Sequence, residues 1–201
     1  MLRCPETHEE AFLVMSTGEM VGRMVRSGIL GCPVCRNEYP IVKGVVNFSG
    51  GRTGEGLPAR QKYAVAPGDP PGSSEAQTLQ ALLDLSGPGG YVVLVGSAAR
   101  HAVGLAGLMG GIHFVGINAP SDVEELPVLS LLVSETMIPL RGAVARGVVV
   151  GPERTSPAWL GEALRVLLRG RRLVIEDERA APSAGVTQLA VGEGLWVGEK
   201  G

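Results

Sequence analysis

The stretch Tyr91-Val92-Val93-Leu94-Val95-Gly96-Ser97-Ala98-Ala99-Arg100-His101-Ala102 decides the fold. Five apolar residues in a row, too short for a helix and bounded by Gly87-Pro88-Gly89-Gly90 before and Gly96 after, read as a strand buried on both faces. Such strands belong to the middle of parallel sheets, whose two faces are both covered. Small residues from Gly96 onward turn the chain into a helix carrying Val103, Leu105, Ala106, Leu108 and Met109. His113-Phe114-Val115-Gly116-Ile117 then reads as a second strand.

Working outward, Ser74-Glu75-Ala76-Gln77 has the pattern of a capping box and opens a helix with Leu79, Leu82 and Leu83 on one face. Downstream, strands are expected over Leu129 to Val133, Val148 to Val150 and Leu173 to Glu176. A helix from Ser156, with Pro157 at its first position, carries Leu160, Leu164, Leu167 and Leu168. Thr187 to Val191 and Leu195 to Val197 flank Gly192-Glu193-Gly194 and predict a β-hairpin. Alternating strands and helices closed by a hairpin predict an α/β, Rossmann-like doubly wound sheet over 74–201.

The three cysteines all lie in the first 48 residues. Cys32-Pro33-Val34-Cys35 is a tight knuckle that aims two thiolates at one point, and a tetrahedral structural zinc site needs two further ligands. Cys4 and His8 supply them, giving a Cys3His set of Cys4, His8, Cys32 and Cys35. A second knuckle would carry cysteine at position 7, where the chain has Thr7, so His8 must reach in from one residue further on. The alternative reading leaves His8 solvated and the cysteines buried as small hydrophobes. The segment from Ala11 to Arg26 is long for a ribbon hairpin and has room for a short helix. Residues 49–73 are rich in Gly and Pro, without helical or strand periodicity, and read as a linker that Tyr63 and Val65 can dock on the second domain.

Bulk properties narrow the function classes. The 201 residues carry a formal net charge of -2 at pH 7, which gives no general attraction to nucleic acid or anionic lipid. A 45% share of hydrophobic residues argues for a folded core. The start Met-Leu-Arg-Cys-Pro lacks the features of a secretion signal, and the uncharged run from Ala102 to Pro120 is too rich in Gly for a membrane span, so a cytoplasmic protein is expected.

Residues 28–48, with Cys32-Pro33-Val34-Cys35, Tyr39-Pro40-Ile41 and Gly44, resemble the zinc ribbons that activate RNA and protein methyltransferases, and the ribbons fused to some methyltransferases. Val92 to Ala102, Ile138 to Val148 and Leu164 to Val174 resemble, in order, three motifs of the class I S-adenosylmethionine-dependent methyltransferases. The resemblance implies a cofactor loop at Gly96, Ser97 and Ala98 and a ribose-binding position at Asn118. It also exposes substitutions at groups that hold the cofactor. Leu94 and Asn118 stand where acidic residues are expected, and Arg141 and Arg146 replace acids of the later motif. Each charge-assisted hydrogen bond lost costs on the order of 1.5–3 kcal/mol.

The expected protein is therefore a noncatalytic, methyltransferase-like binding or scaffold protein, with structural zinc and without firm S-adenosylmethionine binding. The alternative is an active methyltransferase with a divergent pocket. A protein partner is expected, a methyltransferase or a larger complex among the candidates, and a homo-oligomer is a further arrangement. No catalytic residue is assigned. His101 and Glu176 to Glu178 are read as solvated, and Arg169, Arg171 and Arg172 as cations answering a helix C-terminus.

Overall fold

The computed structural model describes residues 1–49, 72–123, 125–182 and 185–201. Tyr63, Val65 and nearly all of the expected linker lie outside them. The five-residue apolar run is β7 (Tyr91–Val95), at the middle of the parallel part of one large sheet. Parallel neighbours lie on both sides: β8 (His113–Ile117) and then β9 (Leu129–Val133) on one, β10 (Ala145–Val150) and then β11 (Leu167–Ile175) on the other. The chain thus leaves the central strand in one direction and returns to the other side. This reversal falls between β7 and β10, whose carboxyl ends mark the place where doubly wound sheets bind ligands in a crevice.

Alternation along each strand builds two cores. Val92, Leu94, Phe114, Leu131 and Val149 face α1 (Ser73–Leu83) and α2 (Ala102–Leu108), whereas Val93, Val95, Val115, Val148, Val150 and Ile175 share the opposite core with Trp159 and Leu160 of α3 (Pro157–Val166). Full burial of each such side chain is worth about 1.5–3 kcal/mol, and the sheet is fixed in register because a one-residue slip would exchange the two faces. The expected C-terminal hairpin is β12 (Val186–Gly192) and β13 (Leu195–Lys200), turned by Glu193 and Gly194, both at positive φ. β13 adds antiparallel to β11.

The N-terminal segment continues this sheet. β1 (Val14–Thr17), β4 (Ser27–Gly31), β5 (Glu38–Val42) and β6 (Val45–Asn47) form an antiparallel meander whose last strand pairs in parallel with β9. Leu30, Tyr39, Ile41 and Phe48 therefore belong to the same core as Val93 and Ile175. No helix forms over the described residues between Ala11 and Arg26; β1 is followed there by the small hairpin of β2 (Met20–Val21) and β3 (Met24–Val25). The apolar residues there run consecutively from Ala11 to Met15 and not at helical spacing, and the turn at Gly22, at φ +60, interrupts any helical run.

Three local expectations are corrected. The helix α1 starts one residue before Ser74, with Gly72 at its N-cap and no side-chain cap bond, so the box pattern is not used. The helix α3 ends at Val166; Leu167 already pairs with Ala145, and Gly170 at φ +65 marks a register shift inside β11. Arg169, Arg171 and Arg172 consequently sit on a strand, and Arg172 binds the Leu82 carbonyl and the Asp84 carboxylate at 3.1 and 2.7 Å. Among the described residues no helix is long and apolar enough to cross a membrane.

His113 on β8 lies 2.9 Å (Nε2) from Ser130 Oγ on β9, half-buried, and burial lowers its pKa from 6.5. The unfolded chain takes up this proton more readily than the folded one, so the contribution to stability is present above about pH 6.5 and is lost as pH falls from there through the lower value of the folded chain. Urea unfolding from about pH 7 to about pH 5 is expected to show a shallower pH slope for His113→Gln than for wild type. Equal slopes would remove His113 from the acid sensitivity.

Candidate functional site

The four ligand atoms of Cys4, His8, Cys32 and Cys35 come together within 4.8 Å of one another. Two local devices assemble them. The turn between β4 and β5 is closed by Cys32 N–H on the Asn37 carbonyl and Arg36 N–H on the Cys32 carbonyl, both at 2.9 Å, with Arg36 at φ +61. Cys4 comes from the extreme N-terminus, which is pinned to the later part of the chain: Leu2 bridges to Leu140, and Arg3 N–H donates to the Pro139 carbonyl at 2.9 Å. His8 does reach past Thr7. Its Nδ1 lies 2.6 Å from the Glu9 carbonyl, which as a donated bond leaves Nε2 as the acceptor facing Cys32 Sγ at 3.4 Å.

These distances fit zinc. Bonds of about 2.3 Å to sulfur and about 2.0–2.1 Å to nitrogen place tetrahedral ligands about 3.8 Å apart for two sulfurs and about 3.6 Å apart for sulfur and nitrogen. Cys4 and Cys35 sulfurs are 3.7 Å apart, beside the 3.4 Å of the Cys32–His8 pair. Without a metal the thiols are unevenly poised. Burial pushes Cys4 up to about 11, while at Cys32 burial is outweighed by the Cys35 and Val34 backbone N–H groups, which bring it down to about 7. Tyr39 Oη lies 3.0 Å from Cys4 Sγ and is buried at 1% exposure; burial and the neighbouring Cys4 raise its pKa, so the hydroxyl keeps its proton and can donate to a Cys4 thiolate.

The second expected site, at the crevice, is differently disposed. Gly96 follows β7 at φ +66 and opens a 3-10 turn (Gly96–His101). A Cβ added there would run into the Glu153 carboxylate, because that carboxylate is seated on the loop: Ser97 N–H donates to Oε1 at 2.7 Å and Ser97 Oγ–H to Oε2 at 2.8 Å. Glu153 arrives from the short 3-10 turn Pro152–Arg154 after β10, and Gly151 leaves room for Ser97. Ala98 is fully buried and turned into the α1/α2 core.

Asn118, at the end of β8, is 1% exposed and sits at φ +53, a conformation asparagine tolerates better than most residues. Both polar atoms of its amide bind one residue: Nδ2 donates to the Ser134 carbonyl at 2.8 Å and Oδ1 accepts the Ser134 N–H at 2.9 Å. This side chain ties the carboxyl ends of β8 and β9 together. Leu94 is wholly buried beneath α1 and α2.

Arg141 precedes β10 and Arg146 lies near its start, so neither flanks the turn that follows it. Arg141 pairs with Glu10 and lies over the Phe12 ring, whereas Arg146 binds carbonyls of Ser86, Gly87, Pro88 and Gly89 and braces the turn before β7. His101 and Glu176, expected to be solvated, form a pair at 2.6 Å, His101 being 9% exposed. This pair joins the turn after β7 to the end of β11. Sequence spacing alone gave no sign of it, since the partners are 75 residues apart. Glu153 was likewise missed, because a lone exposed glutamate after a proline carries no motif.

No protein family matches the chain, and no curated protein does. Several solved structures do. One is a chain from the complex between the Haloferax volcanii Trm112 methyltransferase activator and a protein described as a methyltransferase, with 18% identity, 50% of each chain covered and a TM-score of 0.40. Another is the geranyl diphosphate C-methyltransferase of Streptomyces coelicolor A3(2), in complex with S-adenosyl-L-homocysteine, with 16% identity, coverage of 51% of this chain and 42% of that one, and a TM-score of 0.44. A third is a SAM dependent methyltransferase from Aquifex aeolicus, with 18% identity, coverage of 64% and 97%, and a TM-score of 0.43. The chain spans half or less of the length of the first two of these.

Proposed function

We propose that this protein is a noncatalytic, methyltransferase-like scaffold or accessory subunit held together by a structural zinc ion. The observation that carries the reading is the engagement of Asn118. Its two polar groups close a buried ring with the Ser134 backbone, so the residue at the expected ribose position is already committed at both polar atoms and is 1% exposed, turned away from a nucleoside. The Glu153 carboxylate on the Gly96–Ser97 loop adds a negative charge where the backbone would have to approach a cofactor. Leu94 supplies no charge.

Zinc at Cys4, His8, Cys32 and Cys35 has a structural role in this reading. Four protein ligands fill a tetrahedron and leave no open position for substrate. The ribbon's inner strand edge, at β6, is already satisfied within the chain by β9. A partner, whether another protein or a second copy, is left the outer surface, including β1, whose four residues are all exposed.

Calorimetric titration with S-adenosylmethionine and S-adenosylhomocysteine tests the reading. No saturable heat is expected up to about 1 mM, and neither ligand should raise the unfolding temperature. Submillimolar binding of either would overturn the scaffold assignment and favour an active methyltransferase with a divergent pocket.

A further inference from the structure

A mainly apolar hollow lies away from both sites. A cavity of about 270 Å³ lies between the β2–β3 hairpin and the sheet at β6, β8 and β9. Met24, Val25, Ile41, Val46, Leu126 and Leu131 contribute apolar surface. An adjoining hollow of about 450 Å³ shares Met1, His113 and Ser130 with it. His113, Ser130 and Leu129 stand at the amino ends of β8 and β9, the end of the sheet opposite the crevice. The polar pair among them is satisfied internally, His113 against Ser130.

Charge at this cavity is one-sided. Among the described residues, Arg23, Arg26 and Lys43 line it with Glu125 as the one carboxylate. Arg26 is paired with Glu125. Arg23, in the turn of the β2–β3 hairpin, and Lys43, in the turn between β5 and β6, are exposed and have no ion-pair partner among the described residues. Two unpaired cations beside an apolar hollow near the lower end of ligand-pocket sizes suit a molecule with one anionic end and one apolar chain.

We infer that this groove binds a free single-chain anionic amphiphile, its head at Arg23 and Lys43 and its chain along Met24, Val25 and Leu126. A carboxylate gains charge-assisted hydrogen bonds from both cations, and the chain removes the exposed faces of the lining residues from water. A neutral chain of equal length gains only the second term. This site is independent of the cofactor crevice and of the metal centre, so its test does not depend on either.

The probe is decanoate, with decanol as the neutral control, followed by calorimetry and by methionine-methyl NMR on the full chain. Decanoate is expected to bind saturably and to shift the Met15 and Met24 methyl signals, while Met109, packed beneath α2, stays in place. The Arg23→Gln/Lys43→Asn double variant, which changes only exposed turn residues and keeps a residue suited to positive φ at position 43, should weaken decanoate by about tenfold or more and leave decanol unchanged. Equal affinity for decanoate and decanol, an unaltered decanoate affinity in the variant, shifts that include Met109, or binding seen only with anionic vesicles would each overturn the assignment.

Discussion

Stripping the metal with a chelator, or replacing Cys32 with serine, is expected to produce the larger of two losses of stability. The wild type should carry one zinc ion per chain, and Cys32→Ser should carry little or none. Structural zinc in small modules supplies about 10–16 kcal/mol of apparent binding free energy. Here the N-terminal meander also shares a hydrophobic core with the large sheet, so part of its stability survives without metal. A loss of about 4 kcal/mol, lowering the unfolding midpoint by roughly 10 °C, is the expected outcome. The damage should extend beyond the ribbon. Cys4 is held by the Leu2–Leu140 bridge and Cys32 by the β4–β5 turn, so the metal ties that turn to an N-terminus that is itself bridged to the segment before β10, more than a hundred residues away in sequence. Elemental analysis and thermal unfolding together check this; a metal-free wild type with the same midpoint as Cys32→Ser would discard the zinc assignment.

Asn118→Ala should give the second loss, of about 2–4 kcal/mol in denaturant unfolding, because it strands the buried N–H and C=O of Ser134 without partners. Asn118→Asp is the more informative change. It restores the acidic residue that the methyltransferase resemblance expects, yet it removes the donor to the Ser134 carbonyl and places a carboxylate in a position that is 1% exposed. It should therefore destabilise at least as much as alanine and confer no S-adenosylmethionine binding. A variant that folds as well as wild type and binds the cofactor would show that Asn118 faces the crevice, and the scaffold reading would fail with it.

Much of this was legible from residue pattern. The buried runs at 91–95 and 113–117, the Gly-rich breaks and the C-terminal hairpin all encode local preference, and the strands appear where the pattern places them. The metal set was legible because cysteine spacing limits which groups can meet, although Thr7 left open whether His8 could turn inward. The Glu9 carbonyl, by holding Nδ1, resolves that orientation. Helix ends were less legible. Leu167 and Leu168 fit the helical stripe of α3 and also suit a buried strand, and the pairing with β10 decides for the strand.

The amino-acid sequence by itself determined the sheet's middle, the alternation of strand and helix and the four candidate metal ligands, because each depends on residues close together or on thiol chemistry that few side chains share. Only the tertiary structure decided that β6 joins β9 to make the N-terminal meander and the sheet continuous, that Asn118 turns to Ser134, and that Glu153 settles on the Gly96 loop. Those outcomes depend on which hydrogen-bonding groups meet across long stretches of chain. A buried polar group takes whatever partner the packing brings within about 3 Å, and no local pattern records which partner that is.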